Sequence, residues 1–488
     1  MSQKPRLIGA AMAARGMAWA IFSVLVSKVM SFVSQIVLGY VLSAQTYGAF
    51  AIAAMALSLT AGFQNAGVSK ALIQQKENFD ELVGNYAAFS LHLGGIGGLL
   101  LVAVSFVLAT AYDVPPLVEI LCVSAISIPL MSLSAIYGAK LSNAFRFRDL
   151  QMAGIMVAFL YNAALIAFAC LGFDYMTIAA ATVFSQLAGY FLYVRLAGGV
   201  AVNYRLPLRT FSRIFVSLRW LIFISFLFGL MRNGDYLVLG RLVTQQELGY
   251  YYFGFMLTAN IGVLLTTAIN QTFLPLFSSI KEDAARLQDM IAKIGVMIGF
   301  LCGMLCLVAV GLLPQLIHVV WAGKWDPSAL TAVAMAIALP LRIYATLGTV
   351  TMEAKGRWRM RAGLLVADAV GIMVAAAAGA ALGGYEGAAI AVALETALSG
   401  VVIFPLAARQ IGMSLVHSSR LQARTALPFL ACAAILYFAT SVATPGLGTF
   451  PGAAMDLIST GLACAAYLGA ALVVDPTLLP TLKRYLRK

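Results

Sequence analysis

The sequence predicts an all-α polytopic membrane protein with about 14 transmembrane helices, built as two parallel-repeated six-helix bundles plus two extra C-terminal helices. Three observations lead to this prediction. The 488-residue chain is 62% hydrophobic and only 10% charged, whereas about a quarter of the residues in a soluble protein are charged. Its apolar blocks are roughly twenty residues long, the length that a helix needs to cross a bilayer. Motifs in the first half also return in the same order in the second half.

Basic residues orient the predicted spans, because cytoplasmic segments of membrane proteins are enriched in Lys and Arg. With the N-terminus inside, 27 of the 32 basic residues fall in cytoplasmic segments or span ends, two in outer links and three in the membrane interior. The net charge of +13 therefore reflects topology and not nucleic-acid binding, and both termini are predicted to be cytoplasmic. The predicted spans are residues 17–40, 46–69, 84–110, 117–138, 150–172, 176–196, 217–240, 248–273, 290–313, 328–351, 362–382, 386–408, 424–443 and 453–474.

Spans seven to twelve are predicted to repeat spans one to six. The segment VLGYVLSAQTYG at 37–48 returns 201 residues later as VLGRLVTQQELG at 238–249. LVAV at 101–104 returns 206 residues later at 307–310. A slowly growing offset is what small insertions in a second copy produce, and six spans return the chain to the same side of the membrane. The predicted domains are an N-terminal lobe at 1–205, a C-terminal lobe at 206–415, and two additional helices with a basic tail at 416–488.

A proline and an Arg-aromatic-Arg motif belong to the same repeat, with an offset of 211 residues. Pro129 in the fourth span corresponds to Pro340 in the tenth, and each is predicted to kink its helix and to act as a hinge. The Arg-aromatic-Arg motifs follow at the inner ends of these two spans. They are either plain cytoplasmic anchors or contacts to an anionic lipid headgroup. Their arginines are Arg146, Arg148, Arg357 and Arg359.

Charged residues inside the predicted spans need a partner or water, because each costs about 2.5–3.5 kcal/mol at the bilayer centre. Arg232 and Asp235 are three residues apart on one helix and could neutralise each other. Arg342 has no acid within one helical turn. The cations are candidates for binding an anionic substrate in an aqueous cavity, and the acids for ion coupling or for structural pairing. The cations are Lys28, Arg232 and Arg342, and the acids are Asp235, Asp368 and Glu395.

The remaining reactive residues form no catalytic or metal-binding pattern. All six cysteines lie in apolar spans without metal-ligand spacing, and the three histidines fall in different segments. The sequence therefore predicts no catalytic residue, no metal and no cofactor.

Four stretches resemble a known family. They are SFVSQIVLGYVLSAQTYGAFAIA at 31–53, DYLVLGRLVTQQELGYYYFGFML with the following INQTFLPLFSSI, AGKWDP at 322–327 and EAKGRW at 353–358. Together they are similar to the Wzx-type polysaccharide flippases, of the polysaccharide transporter family in the multidrug/oligosaccharidyl-lipid/polysaccharide (MOP) exporter superfamily. The similarity extends over about the first four hundred residues.

The resemblance implies two helix bundles around a central, cation-lined cavity. It implies transport of undecaprenyl-diphosphate-linked oligosaccharide units across the bacterial inner membrane, by alternating access and without covalent chemistry, for exopolysaccharide, capsule or O-antigen assembly. The implied partners are the lipid-linked oligosaccharide, the bilayer, a polysaccharide polymerase and chain-length or export proteins.

Two other functions stay open at this point. A multidrug antiporter of the same superfamily would have an acid-rich cavity, in contrast to three buried bases. A membrane-embedded polymerase or ligase, an enzyme, needs a large outer loop, and the longest predicted outer link, at about 314–327, is short.

Overall fold

A computed structural model describes residues 4–60, 67–74, 79–200, 202–443 and 450–474. Within these ranges every regular element is a helix. Twelve of the described helices are long and apolar enough to cross a membrane, and Ala44–Leu59 is a shorter apolar helix. The helix Trp358–Arg409 leaves helical geometry at Gly383 and Gly384, and so divides into two arms. The described chain therefore holds fourteen apolar helical segments, which confirms the predicted fold class.

Contacts between residues divide the chain into two compact units, Met1–Gly249 and Tyr250–Lys488. The division falls one helix later than the lobe boundary predicted at 205/206. The helices of the first unit are α1 (Lys4–Val41), α2 (Ala44–Leu59), α3 (Val68–Gln74), α4 (Phe79–Tyr112), α5 (Leu117–Ala125), α6 (Ser127–Asn143), α7 (Phe147–Cys170), α8 (Thr177–Ala197) and α9 (Leu208–Leu242). Those that follow are α10 (Gln245–Ser279), α11 (Ala284–Trp321), α12 (Ala329–Ala354), α13 (Trp358–Arg409), α14 (Leu415–Ala443) and α15 (Phe450–Val474).

Helix α9 packs within the first unit, which explains the position of the division. It lies along α2, and the Ser58 hydroxyl donates to the Gly229 carbonyl at 3.3 Å. The Tyr112 hydroxyl at the end of α4 donates to the Leu237 carbonyl at 2.8 Å. The repeat boundary at 205/206 concerns sequence correspondence and stays a prediction.

The rest of the first unit is built from neighbouring long helices. Helix α1 packs along α7, α7 along α8, and α6 packs on both α4 and α8. The Ser34 hydroxyl donates to the Asn162 side-chain oxygen at 2.6 Å, which joins α1 to α7 through two buried polar groups. A cluster of buried apolar side chains joins α3, α4, α6 and α9.

The second unit is centred on α11, which packs along α12, α14 and α15. The two additional C-terminal helices are therefore part of this unit's core. The hydroxyls of Tyr344 on α12 and Thr425 on α14 lie 2.7 Å apart, and Phe300 on α11 stacks on Tyr467 of α15 at 5.2 Å between ring centres. These contacts attach the predicted segment 416–488, in its described part, to the unit that precedes it.

The two related prolines differ in their effect on the helix. The α5–α6 span is interrupted at Ile126, three residues before Pro129, since proline cannot donate to the carbonyl four residues earlier. Pro340 lies inside α12, and the helix continues through it.

Two turns related by the repeat have the same backbone. Phe145, before Arg146, has a φ of 56°, and the Arg146 amide donates to the carbonyl five residues earlier at 2.9 Å. Gly356, before Arg357, has a φ of 70°, and the Arg357 amide donates to the carbonyl five residues earlier, also at 2.9 Å. Each arginine caps the helix that follows, with φ/ψ of −82°/54° and −82°/52°.

The repeated motifs at 37–48 and 238–249 also begin helices in related ways. The Ser43 hydroxyl accepts from the Thr46 amide at 3.1 Å at the start of α2. At the start of α10, Thr244 and Glu247 cap each other's amides, at 2.8 and 3.3 Å, which is a capping box.

These two helix starts contact each other. A Cβ atom at Gly48 would collide with the Gln245 carbonyl oxygen, and a Cβ atom at Gly249 would collide with that of Ala44. Only glycine permits this approach of backbone to backbone.

Candidate functional site

A hydrogen-bonded group of charged side chains lies between α12 and the two arms of α13. The Arg342 guanidinium on α12 binds both carboxylate oxygens of Asp368, at 2.8 and 2.7 Å. It also donates to the Ser399 hydroxyl at 2.6 Å. Asp368 is on the first arm of α13 and Ser399 on the second. The Arg342 side chain is 20% exposed and that of Asp368 is 3% exposed.

Glu395 completes this group. It lies one helical turn before Ser399 on the same arm, within electrostatic range of Arg342 and Asp368. Its Oε2 atom is buried and accepts no hydrogen bond from the described residues. Arg342 and Asp368 neutralise each other, so Glu395 is an additional acid beside an already matched ion pair.

The hairpin in α13 places these residues together. The chain reverses at Gly384, whose φ of 60° and ψ of −147° are accessible to glycine. Asp368 precedes the reversal by 16 residues and Ser399 follows it by 15, so the two lie at similar heights on adjacent arms.

Arg342 has no acid within one turn of its own helix, as the sequence indicated, but it is nevertheless paired. Its acid comes from another helix, 26 residues along the chain. Ser399 was not predicted as a ligand, although its four-residue spacing from Glu395 places both on one helix face.

Lys28 and Arg232 lie within electrostatic range of each other in the first unit. Lys28 on α1 is half-buried, and Arg232 on α9 is exposed on the isolated chain. Two like charges within one apolar unit raise each other's electrostatic energy, and an anion bound beside them would lower it.

The suggested local pair of Arg232 and Asp235 is not formed. No ion pair within 4.0 Å joins them among the described residues. Asn233, between them, has a non-helical φ/ψ of −137°/16°, so the regular spacing that would align the two side chains is broken. Asp235 is 2% exposed.

The Arg-aromatic-Arg motifs lie at helix starts, away from these groups. Arg146 pairs with Asp149 at 2.6 Å, and the Arg148 guanidinium lies 5.9 Å from the centre of the Trp19 ring. Arg357 and Arg359 are exposed.

Comparisons with known proteins identify the family and the fold. A sequence model for the family described as "Polysaccharide biosynthesis protein" matches residues 37–330, more than half of the chain. Among curated protein sequences no relative matches.

Several solved structures have the same fold at low sequence identity. The lipid II flippase MurJ in an inward closed conformation is 12% identical, with a TM-score of 0.72, and the match covers 94% of this chain and 99% of that one. An inward-facing multidrug resistance MATE family transporter of the MOP superfamily is 16% identical, with a TM-score of 0.65 over 79% and 94% of the two chains. A MOP superfamily transporter from Pyrococcus furiosus is 14% identical, with a TM-score of 0.60 over 82% and 96%.

Proposed function

This chain belongs to the polysaccharide biosynthesis protein family, and from that premise we propose that it is a flippase for polyprenyl-diphosphate-linked oligosaccharides. It moves undecaprenyl-diphosphate-linked repeat units across the bacterial inner membrane, for assembly of exopolysaccharide, capsule or O-antigen. A polymerase and chain-length or export proteins use the product. The fold shared with a lipid II flippase supports a lipid-linked substrate.

The observation that carries the proposal is that Lys28 and Arg232 lie on two apolar helices of the same unit, each long enough to cross a membrane, and within electrostatic range of each other. A diphosphate cannot enter about 30 Å of hydrocarbon without compensation, whereas a polyprenyl chain dissolves there. Two cations at membrane depth provide that compensation. The headgroup is bound beside Lys28 and Arg232 while the lipid chain stays in the bilayer, and alternating access carries the sugars across.

In this mechanism Arg342 has a different role from the other two cations. Its charge is matched by Asp368, so it positions the two arms of α13 and leaves Glu395 as the acid for ion coupling. Asp235, which is also buried, lies on the same helix as Arg232. No bond is made or broken, so the protein acts as a transporter and not as an enzyme.

A multidrug antiporter is the second candidate. The structural similarity to MATE transporters and the buried, unsatisfied Glu395 oxygen favour it, while Lys28 and Arg232 repel a cationic drug. Purified protein in liposomes with a fluorescent polyprenyl-diphosphate oligosaccharide distinguishes the candidates. We expect movement of the label between leaflets without joining of sugar units. Joined units would indicate a polymerase, and drug transport without lipid movement would indicate an antiporter.

The same assay tests the two cations. Each charge-assisted contact to a diphosphate is worth about 1.5–3 kcal/mol, or about ten-fold or more in rate. Lys28→Gln and Arg232→Gln should therefore each lower flipping at least that much at normal membrane levels. Lys293→Gln, which removes an exposed cation paired with Asp289 at 2.7 Å, is the matched control. Arg232→Lys keeps the positive charge, so it should flip lipid faster than Arg232→Gln if charge alone matters at this position. Full activity of both Gln variants would contradict the proposed site.

A further inference from the structure

We propose that the turn between α12 and α13 is a binding surface for the headgroup of an anionic phospholipid, and that the related turn between α6 and α7 is not. The two turns have the same backbone and the same Arg-aromatic-Arg sequence. They differ in what the arginine side chains contact.

In the first unit both arginines are already engaged. Arg146 binds Asp149 through two nitrogens, at 2.6 and 2.7 Å, and donates to the Leu196 carbonyl at 2.8 Å. Arg148 lies over the ring of Trp19. A headgroup phosphate arriving here would have to displace these contacts and leave Asp149 beside an anion.

The turn in the second unit has no counterpart of Asp149. Met360 stands at the position of Asp149, 211 residues later. Arg357 and Arg359 are exposed, and within the described ranges neither guanidinium forms an ion pair or a side-chain hydrogen bond. The local acid, Glu353, binds Arg361 at 2.6 Å instead.

The surroundings of Arg357 and Arg359 fit a lipid in particular. Both directly follow α12, which is long and apolar enough to cross a membrane, and the ends of such spans are where lipid phosphates are found. Trp358 between them is 50% exposed, and tryptophan concentrates at the membrane interface. Two guanidiniums offer paired donors to phosphate oxygens, and the start of α13 adds its partial positive charge. A phosphodiester next to acyl chains satisfies all of these groups.

Native mass spectrometry of the purified full-length protein tests the proposal, with phosphatidylglycerol as probe and phosphatidylcholine as the neutral comparison. Each basic residue near an anionic membrane surface contributes about five-fold in affinity, so Arg357→Gln with Arg359→Gln should weaken phosphatidylglycerol binding about 30-fold. Arg146→Gln with Arg148→Gln should leave it unchanged. Equal losses in both double variants, or none in the first, would overturn the proposal.

A single substitution tests the role of the missing acid. Met360→Asp places an acid three residues after Arg357, just as Asp149 lies three residues after Arg146. This variant should bind phosphatidylglycerol about five-fold more weakly. Met360→Asn, which has the same shape without the charge, is the control and should bind like the wild type. If Met360→Asp binds as tightly as Met360→Asn, Asp149 does not explain the difference between the two turns. Since no oligosaccharide substrate is present, these results do not depend on the transport activity.

Discussion

At the scale of single residues, the main lesson is that a charge in a membrane span is defined by residues on other helices. The sequence identified Arg342, Asp368 and Glu395 as charges needing partners, because ionised groups are costly in hydrocarbon. It could not pair them, since the pairing depends on the reversal of α13 and not on spacing along one helix. Helical spacing alone likewise suggested Arg232 with Asp235, and the irregular backbone at Asn233 prevents it.

The Arg342–Asp368 pair gives a stability prediction. Arg342→Ala strands the buried Asp368 carboxylate and should lower stability by about 3–5 kcal/mol. Adding Asp368→Ala should recover most of the loss. Thermal unfolding in detergent and the amount of inserted protein measure both effects. Arg146→Ala, which breaks an exposed pair, should cost only about 0–1 kcal/mol. An Arg342→Ala protein that is as stable as wild type but does not flip lipid would instead make Arg342 a substrate ligand.

At the scale of helices, hydropathy predicted where the chain crosses the membrane but not where helices begin and end. The ninth predicted span, 290–313, is the apolar centre of α11, which runs from Ala284 to Trp321. Hydropathy reports contact with hydrocarbon, whereas helix ends are fixed by caps such as Asp283, which accepts from the Arg286 amide at 3.0 Å. The predicted kinks at Pro129 and Pro340 show the same difference between sequence and structure, because both prolines lack an amide donor but only the span that contains Pro129 is interrupted nearby, at Ile126.

The reversal of α13 gives a prediction at this scale. Gly383 and Gly384 both have open space where a Cβ atom would be placed, so they differ mainly in backbone conformation. Gly384→Ala places a side chain at a φ of 60° and should cost about 1–3 kcal/mol. Gly383→Ala, at a negative φ, is the matched control and should cost less. Thermal unfolding of the two variants measures the difference; equal midpoints would show that the reversal does not require the conformation of Gly384.

At the scale of the whole molecule, the count of apolar segments and the repeat could be predicted, because both are properties of the sequence pattern. The division between contact units could not, since it depends on the packing of α9 against α2.

Orientation across the membrane is the prediction at this scale. The distribution of Lys and Arg places both termini and the basic link at 205–213 in the cytoplasm. Fusions of a reporter active only in the cytoplasm should be active at all three sites and inactive at 322–325. The opposite result at 205–213, activity of a second reporter that works only outside the cytoplasm, would contradict the fourteen-span topology.

The contact between the starts of α2 and α10 has a consequence for the substitutions that these helix starts accept. Gly48 lies against the carbonyl of Gln245, and Gly249 lies against the carbonyl of Ala44. A side chain at either glycine therefore has to push away the backbone of the other helix start. We expect a substitution at one start to disturb both, although the two starts are about 200 residues apart in the chain.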